Sequence, residues 1–179
     1  MLHKPKGYVV TTSDELGRKT VYELLPPFAR EEKWNPIGRL DMDSRGLLLF
    51  TRQGKIQDLL TKPGHTTKMY DIWLRGHITE EHLQKALQGI QTPDGILKAA
   101  KIERLGGIGH KSHIAVELDE GKNRHLRKLF GNLSDPETGT PLKVLELKRI
   151  QIGNMELDIP SGKWRFLTES EEAELLYDF

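Results

Sequence analysis

Five polar residues in one short stretch are the first place where chemistry could sit. In the segment Pro36-Ile-Gly-Arg-Leu-Asp-Met-Asp-Ser-Arg-Gly-Leu-Leu-Leu-Phe-Thr51, residues Arg39, Asp41, Asp43, Ser44 and Arg45 stand directly before the apolar run Leu47–Phe50. A polar loop fixed at the end of a core strand exposes reactive groups and holds them rigid. Asp41 and Asp43 are two residues apart and point differently, which suits unequal roles better than a paired metal site. From the residues alone the stretch is either a reactive loop or a tight turn with local salt bridges.

A second candidate is a basic run. Lys122, Arg124, Arg127 and Lys128 fall, together with His125, within seven residues that contain no acid. Glu169, Glu171, Glu172, Glu174 and Asp178 carry negative charge elsewhere, and the formal net charge is only +1. Such asymmetry permits a basic cleft on a nearly neutral molecule, where the field is focused; a solvated basic helix is the equal alternative. The stretch Gly107-Ile-Gly-His-Lys-Ser-His113 holds two histidines, but without further ligands near in sequence it reads as a hairpin tip, and no metal is expected.

The elements that must position these groups follow from periodicity and punctuation. Tyr8–Thr12 reads as a short strand. Thr20-Val-Tyr-Glu23 is a capping box opening a brief helix that Pro26 and Pro27 stop. Gly46–Thr51 reads as a fully buried strand and Lys55–Leu60 as a short helix. Lys68–Arg75 alternates, with Tyr70, Ile72 and Leu74 on one face. Thr79 caps a helix to Leu87, with Gly89 as its stop. Strands are expected at Ile96–Leu105 and Ser112–Leu118 around Gly106–Gly109, a basic helix at Asn123–Leu129, and strands at Leu142–Ile150 and Met155–Ile159. Thr168-Glu-Ser-Glu171 is a second capping box, opening a helix to about Tyr177.

This order, with no regular βαβ alternation, predicts an α+β architecture: a mixed, mostly antiparallel sheet with flanking helices. The Pro63-Gly64 break divides the chain into an N-terminal lobe, 1–63, that carries the Asp41 loop and a C-terminal lobe, 64–179. At 179 residues the chain is long enough for one domain or two small lobes, with 36% hydrophobic and 30% charged residues. The absence of cysteine excludes disulfides, thiolate zinc sites and a cysteine nucleophile. Met1–Lys6 is basic but lacks the apolar core of a secretory signal. The run Leu47–Phe50 is far too short to span a bilayer, so a cytoplasmic protein without a membrane partner is expected.

The Asp41 segment, as Gly38-Arg-Leu-Asp-Met-Asp-Ser-Arg-Gly-Leu-Leu48, resembles the signature of the RsuA-type pseudouridine synthases, the branch that includes RluB, RluE and RluF. The likeness extends along nearly the whole chain. His3-Lys-Pro-Lys-Gly7 is similar to the family's opening motif, and Arg18–Val21 with Leu24–Pro26 to the segment after it. Thr51-Arg-Gln-Gly54 and Leu60-Thr-Lys-Pro63 resemble the next turn and helix end, and Lys68-Met-Tyr70 the Lys-x-Tyr motif. Glu120-Gly-Lys-Asn-Arg-His-Leu-Arg127 is similar to the Glu-Gly-Arg-Asn-Arg-Gln-x-Arg motif, and Leu147-Lys-Arg-Ile-Gln-Ile-Gly153 to the last one.

The resemblance implies a pseudouridine synthase catalytic fold with a cleft between two lobes, acting on ribosomal RNA. Isomerising uridine means breaking the N-glycosidic bond, turning the base and rejoining it through carbon, after the nucleotide has left its stack. Asp41 takes the place of the nucleophile, which attacks a sugar carbon or abstracts a sugar proton. Arg127 matches the arginine that pairs with that carboxylate, since a buried lone charge is costly and a guanidinium fits it in bidentate fashion. Tyr70 matches the tyrosine lying against the flipped base, where it stacks and helps move a proton. Ile150 falls where an aliphatic residue packs on the other face of the base. Lys4, Lys6, Arg39, Lys122, Arg124 and Lys128 are expected phosphate contacts. The reaction is redox-neutral and internal, so no cofactor is expected, and a monomer is.

Three departures stand out. Many relatives carry a small RNA-binding domain ahead of the catalytic one, whereas this chain begins almost at the first catalytic strand, as RluE-like members do. Ser134-Asp-Pro-Glu-Thr-Gly-Thr-Pro141 is longer than the family's short turn there and is expected to be a surface loop. His125 replaces the usual glutamine. The RluE-like layout points to large-subunit (23S) rRNA, then small-subunit rRNA, then tRNA. A non-catalytic rRNA-binding or ribosome-assembly module on the same fold is the rival, and a glycosidic hydrolase using Asp41 and Asp43 the third reading.

Overall fold

The structure, a computed structural model, describes residues 1–177. Along the chain run β1 (Leu2–Lys4), a 3-10 turn (Val21–Leu24), α1 (Phe28–Glu31), β2 (Asn35–Ile37), β3 (Arg45–Thr51), α2 (Gly54–Thr61) and β4 (Lys68–Arg75). Then follow α3 (Glu80–Gln88), β5 (Ile90–Thr92), β6 (Gly95–Leu97), β7 (Lys101–Ile108) and β8 (Lys111–Leu118). Last come α4 (His125–Gly131), β9 (Lys143–Ile152), β10 (Met155–Glu156) and α5 (Glu169–Leu175). The chain forms two compact units, one of residues 1–66 with 148 onward and one of residues 67–147.

In the first unit β3 is the organising strand, an apolar run buried almost throughout. It pairs antiparallel with β1 (Leu2 opposite Leu48) and with β2 (Pro36 opposite Phe50), and parallel with β9 (Gly46 opposite Arg149). Burial on both faces explains why its sequence shows no polar alternation. Leu47 and Leu49 pack with Met1, Ile37, Leu60, Ile152, Met155 and Leu175; each such leucine contributes about 1.5–3 kcal/mol by leaving water. In the second unit β4, β8 and β7 form an antiparallel meander, with Tyr70 opposite Val116 and Ile102 opposite that same valine. Tyr70, Ile72 and Leu74 are buried, as their alternation predicts. Thr79 caps α3, its hydroxyl accepting the amide of His82 at 3.3 Å. The result is a mixed, mostly antiparallel α+β fold with helices flanking the strands.

Several expectations need correction. Tyr8–Thr12 is not a strand: only Val9 makes a bridge, to Thr20, and Thr11 turns its hydroxyl onto the Ser13 carbonyl at 2.6 Å, a local bond that competes with strand pairing. Pro27 stops the 3-10 turn and then heads α1, where a missing N–H costs nothing. Ile96 and Leu97 belong to the β5–β6 hairpin, and the chain bends through Ala99, whose amide donates to the Ala86 carbonyl at 2.9 Å, before β7 begins. The last strand ends at Glu156. The expected division into 1–63 and 64–179 has its break close to the first crossing between the units. It has no counterpart to the second, which falls inside β9 between Leu147 and Lys148, where an unbroken strand carries no turn residue to betray it.

Candidate active site

The Asp41 turn is built entirely within the first unit. Gly38, at φ 73°, turns the chain out of β2, and the amide of Ser44 donates to the Asp41 carbonyl at 3.0 Å. Beneath it lies Lys4, fully buried at the end of β1. Its ammonium donates to the carbonyls of Pro5 (3.1 Å), Asp41 (2.9 Å) and Ser44 (2.7 Å). Arg149 is buried beside β3, donating through Nε to Leu47 at 2.8 Å and through Nη1 to Arg39 at 3.3 Å. The Gly7 amide reaches the Met42 carbonyl at 2.8 Å. Four of the turn's carbonyls are thus held by donors from outside it. At Gly46, φ is 121° and a Cβ would run into the Arg149 backbone, so only glycine lets β3 and β9 pair directly after the turn.

This arrangement corrects one expectation. Lys4 is not a phosphate contact: all three of its N–H donors face backbone carbonyls, and the side chain has no exposed surface. Burial pushes its pKa down to about 8, against the pull of the Asp41 and Asp43 carboxylates and with some help from Arg149. Its charge offsets two acids in the turn while its hydrogen bonds fix the turn's backbone. Arg149 does similar work and went unselected in the sequence. A signal existed: counting by two from the buried Leu147 puts Arg149 on the covered face of β9. Arg39 and Lys6 are exposed, Asp41 and Ile150 half-buried.

The second unit holds the remaining candidates. Tyr70 is buried on β4. Arg127, half-buried on α4, donates to the Val144 carbonyl at 3.1 Å. Arg124 heads α4 in the left-handed conformation, φ 51°, which costs a non-glycine residue about 1–2 kcal/mol. The acid-free basic run is not acid-free in space. Lys122 lies 3.0 Å from Glu120 and donates to the Ile96 carbonyl at 2.7 Å; Lys128 meets Asp94 at 2.6 Å. Both lysines therefore grip the β5–β6 hairpin. His125 is buried, its Nε2 donating to the Lys98 carbonyl at 2.9 Å, and burial holds its pKa below the usual 6.5.

The histidine-bearing segment forms the expected hairpin, between β7 and β8. His110 is at the tip, but His113 lies on β8, 3.0 Å from Asp71 and stacked on Trp73. Ligands absent near it in sequence arrive from elsewhere, because His77 and Glu137 gather around His110.

The family described as RNA pseudouridylate synthase matches residues 1–132. The ribosomal large subunit pseudouridine synthase B of Vibrio cholerae serotype O1 is 34% identical over 165 residues, 90% of this chain and 49% of that protein. Its namesake in Haemophilus influenzae is 34% identical over 167 residues, 92% of this chain and 44% of that protein. A crystal structure of a pseudouridylate synthase superposes with a TM-score of 0.80 at 26% identity, covering 98% of this chain and 72% of that one. The chain spans about half the length of the curated relatives it matches. No helix among the described residues is long and apolar enough to cross a membrane.

Proposed function

We propose, because this chain belongs to the RNA pseudouridylate synthase family, that it isomerises a uridine of large-subunit ribosomal RNA to pseudouridine, with Asp41 as nucleophile. The observation that carries this reading is that the family match over residues 1–132 includes Asp41, Tyr70 and Arg127. The curated relatives' names, ribosomal large subunit pseudouridine synthase B, favour the large-subunit substrate.

In this reading the Asp41 carboxylate acts at the ribose, where a turn held by buried donors keeps it from drifting between turnovers. The N1–C1′ bond breaks, the base turns, C5 bonds to C1′, and the proton that C5 loses is balanced by one that N1 gains. Arg127 supplies the countercharge for Asp41. Tyr70 stacks on the base and serves the proton transfer from C5, with Ile150 on the opposite face. Lys6, Arg39, Lys122, Arg124 and Lys128 contact phosphates and orient the RNA without reading its sequence. The enzyme works as a monomer in the cytoplasm and needs no cofactor.

The test is pseudouridine mapping on unmodified rRNA and immature ribosomal particles incubated with wild-type protein or Asp41→Asn. The wild type should place pseudouridine at a defined large-subunit site, and Asp41→Asn should bind the same RNA without forming it. Pseudouridine formation that survives Asp41→Asn defeats the assignment of the nucleophile. Tight binding by both proteins with no pseudouridine from either would mean a binding module instead.

A further inference from the structure

The loop of residues 134–141 brings one carboxylate to two histidines from distant parts of the second unit. His77 follows β4, His110 sits at the tip of the β7–β8 hairpin, and Glu137 comes from the loop; their donor atoms all lie within 4.8 Å of one another. His77 Nδ1 is 3.6 Å from Glu137 Oε1, and His110 Nδ1 is 3.7 Å from Glu137 Oε2. Ligands bound to one tetrahedral ion at about 2.0–2.1 Å stand roughly 3.4 Å apart. Those two separations therefore need to close by only a few tenths of an ångström.

The hydrogen-bonding of His77 is the second observation. Its Nε2 stands 3.2 Å from the Gly109 carbonyl, which can only accept, so Nε2 carries the hydrogen and the neutral ring presents a lone pair at Nδ1. That Nδ1 atom is buried, and among the described residues it has no hydrogen-bond partner. Facing it are two carboxylates, Asp135 and Glu137, each at 3.6 Å. A lone pair turned toward two anions requires a cation between them. A second proton on His77 would meet that need but would leave the partner ring unused: His110 is 5.1 Å away, ring to ring, and directs its own Nδ1 at the other oxygen of Glu137. One divalent ion engages both nitrogens and the carboxylate together. A carbonyl holding the far N–H of a ligating histidine is also the usual support for such a ring.

The loop is shaped to present Glu137. Asp135 is buried and accepts the amides of His77 (2.6 Å), Glu137 (2.8 Å) and Thr138 (3.1 Å). That fan of bonds ties the loop's first turn to the backbone of residue 77.

We propose that His77, His110 and Glu137 bind a divalent transition metal ion of the zinc type, leaving the fourth position to water, and that the ion clamps loop 134–141 to the hairpin tip. Two imidazoles and one carboxylate favour zinc-like ions over magnesium or calcium. The His110 and Glu137 side chains are 71% and 60% exposed, so the ion exchanges with solvent.

The test uses the untagged full chain, stripped with a chelator and dialysed. Titration with cobalt(II), followed by its visible absorption, and with zinc, followed by calorimetry and thermal unfolding, should show one ion per chain and a higher Tm with zinc. His110→Ala and Glu137→Gln should lose roughly a hundredfold in affinity, at or beyond the upper end for removal of a ligand's supporting partner. His113→Ala, on the same hairpin but bonded to Asp71, should bind as the wild type does. Both ligand substitutions lie at exposed positions, and matching circular dichroism spectra would exclude misfolding. Absence of binding by the wild type overturns the proposal. So does unchanged affinity in Glu137→Gln, or nuclear magnetic resonance showing His77 doubly protonated at neutral pH and indifferent to zinc.

Discussion

Two polar segments of this protein carry most of its basic and acidic candidates, and they are held in opposite ways. The Asp41 turn is fastened from below by Lys4 and Arg149, both buried, through hydrogen bonds to main-chain carbonyls. The segment from Glu120 to Lys128 is fastened by ion pairs at the surface, Lys122 with Glu120 and Lys128 with Asp94. A buried ammonium with three carbonyls has no water to exchange with, and removing it strands the acceptors. Exposed ion pairs contribute about 0–1 kcal/mol and weaken with salt. The turn is built to stay in place, whereas the ion pairs of Lys122 and Lys128 cost little to exchange.

Experiments can break or sharpen that contrast. The largest effect is expected at the turn itself. Asp41→Asn should lower the rate of pseudouridine formation by roughly 10⁴-fold or more, on the scale of removing a nucleophile, with rRNA affinity changed little; gel-shift and single-turnover assays separate the two. Next come the supports. Lys4→Met leaves buried carbonyls without a donor and should cost about 2–4 kcal/mol of stability, read from the urea midpoint. Gly46→Ala forces a Cβ against the Arg149 backbone and should cost at least as much. If Lys4→Met unfolds no more readily than a surface variant, the account of the turn is wrong.

The basic segment should respond differently. Lys122→Ala and Lys128→Ala should change stability by less than about 0.5 kcal/mol. Each should weaken rRNA binding several-fold and reduce the slope of log affinity against log salt by about 0.7–0.9, one phosphate contact's share. An unchanged salt slope would remove them from the RNA-binding surface.

The smallest effect concerns pH. His125 has its folded pKa held below 6.5 by burial, so the unfolded chain takes up a proton first as pH falls. Its share of stability is whole at neutral pH and is lost as pH drops below about 6.5 and through the folded value, with a slope of at most about 1.4 kcal/mol per pH unit. His3, likewise depressed by burial, adds to the same trend. His125→Gln keeps a donor for the Lys98 carbonyl and should flatten the curve of Tm against pH between 7 and 5. An identical curve would mean that His125 stays neutral in both states over that range.

Much of this was legible in the sequence, and the reasons are local. The alternation of Lys68–Arg75 placed Tyr70 among buried residues, the N-cap at Thr79 and the capping box at Thr168 marked where helices begin, and the Gly38–Leu48 motif singled out Asp41. Lys4 was misread because a lysine in a basic N-terminal stretch looks solvated until β1 is seen to lie under the turn. Asp94 was not connected to Lys128, nor Glu137 to His77 and His110, because their separations follow no periodicity.

By itself the sequence determined which carboxylate stands in the family's motif, which face of β4 is covered, and the family to which the chain belongs. Tertiary structure alone decided which cations are buried in the scaffold and which lie at the surface, and it gathered the histidine and carboxylate cluster. The physical reason is that the decisive partners of Lys4 and Arg149 are backbone carbonyls. Every residue has one, so a carbonyl leaves no mark in the sequence and acquires meaning only when the folded chain brings a donor to it.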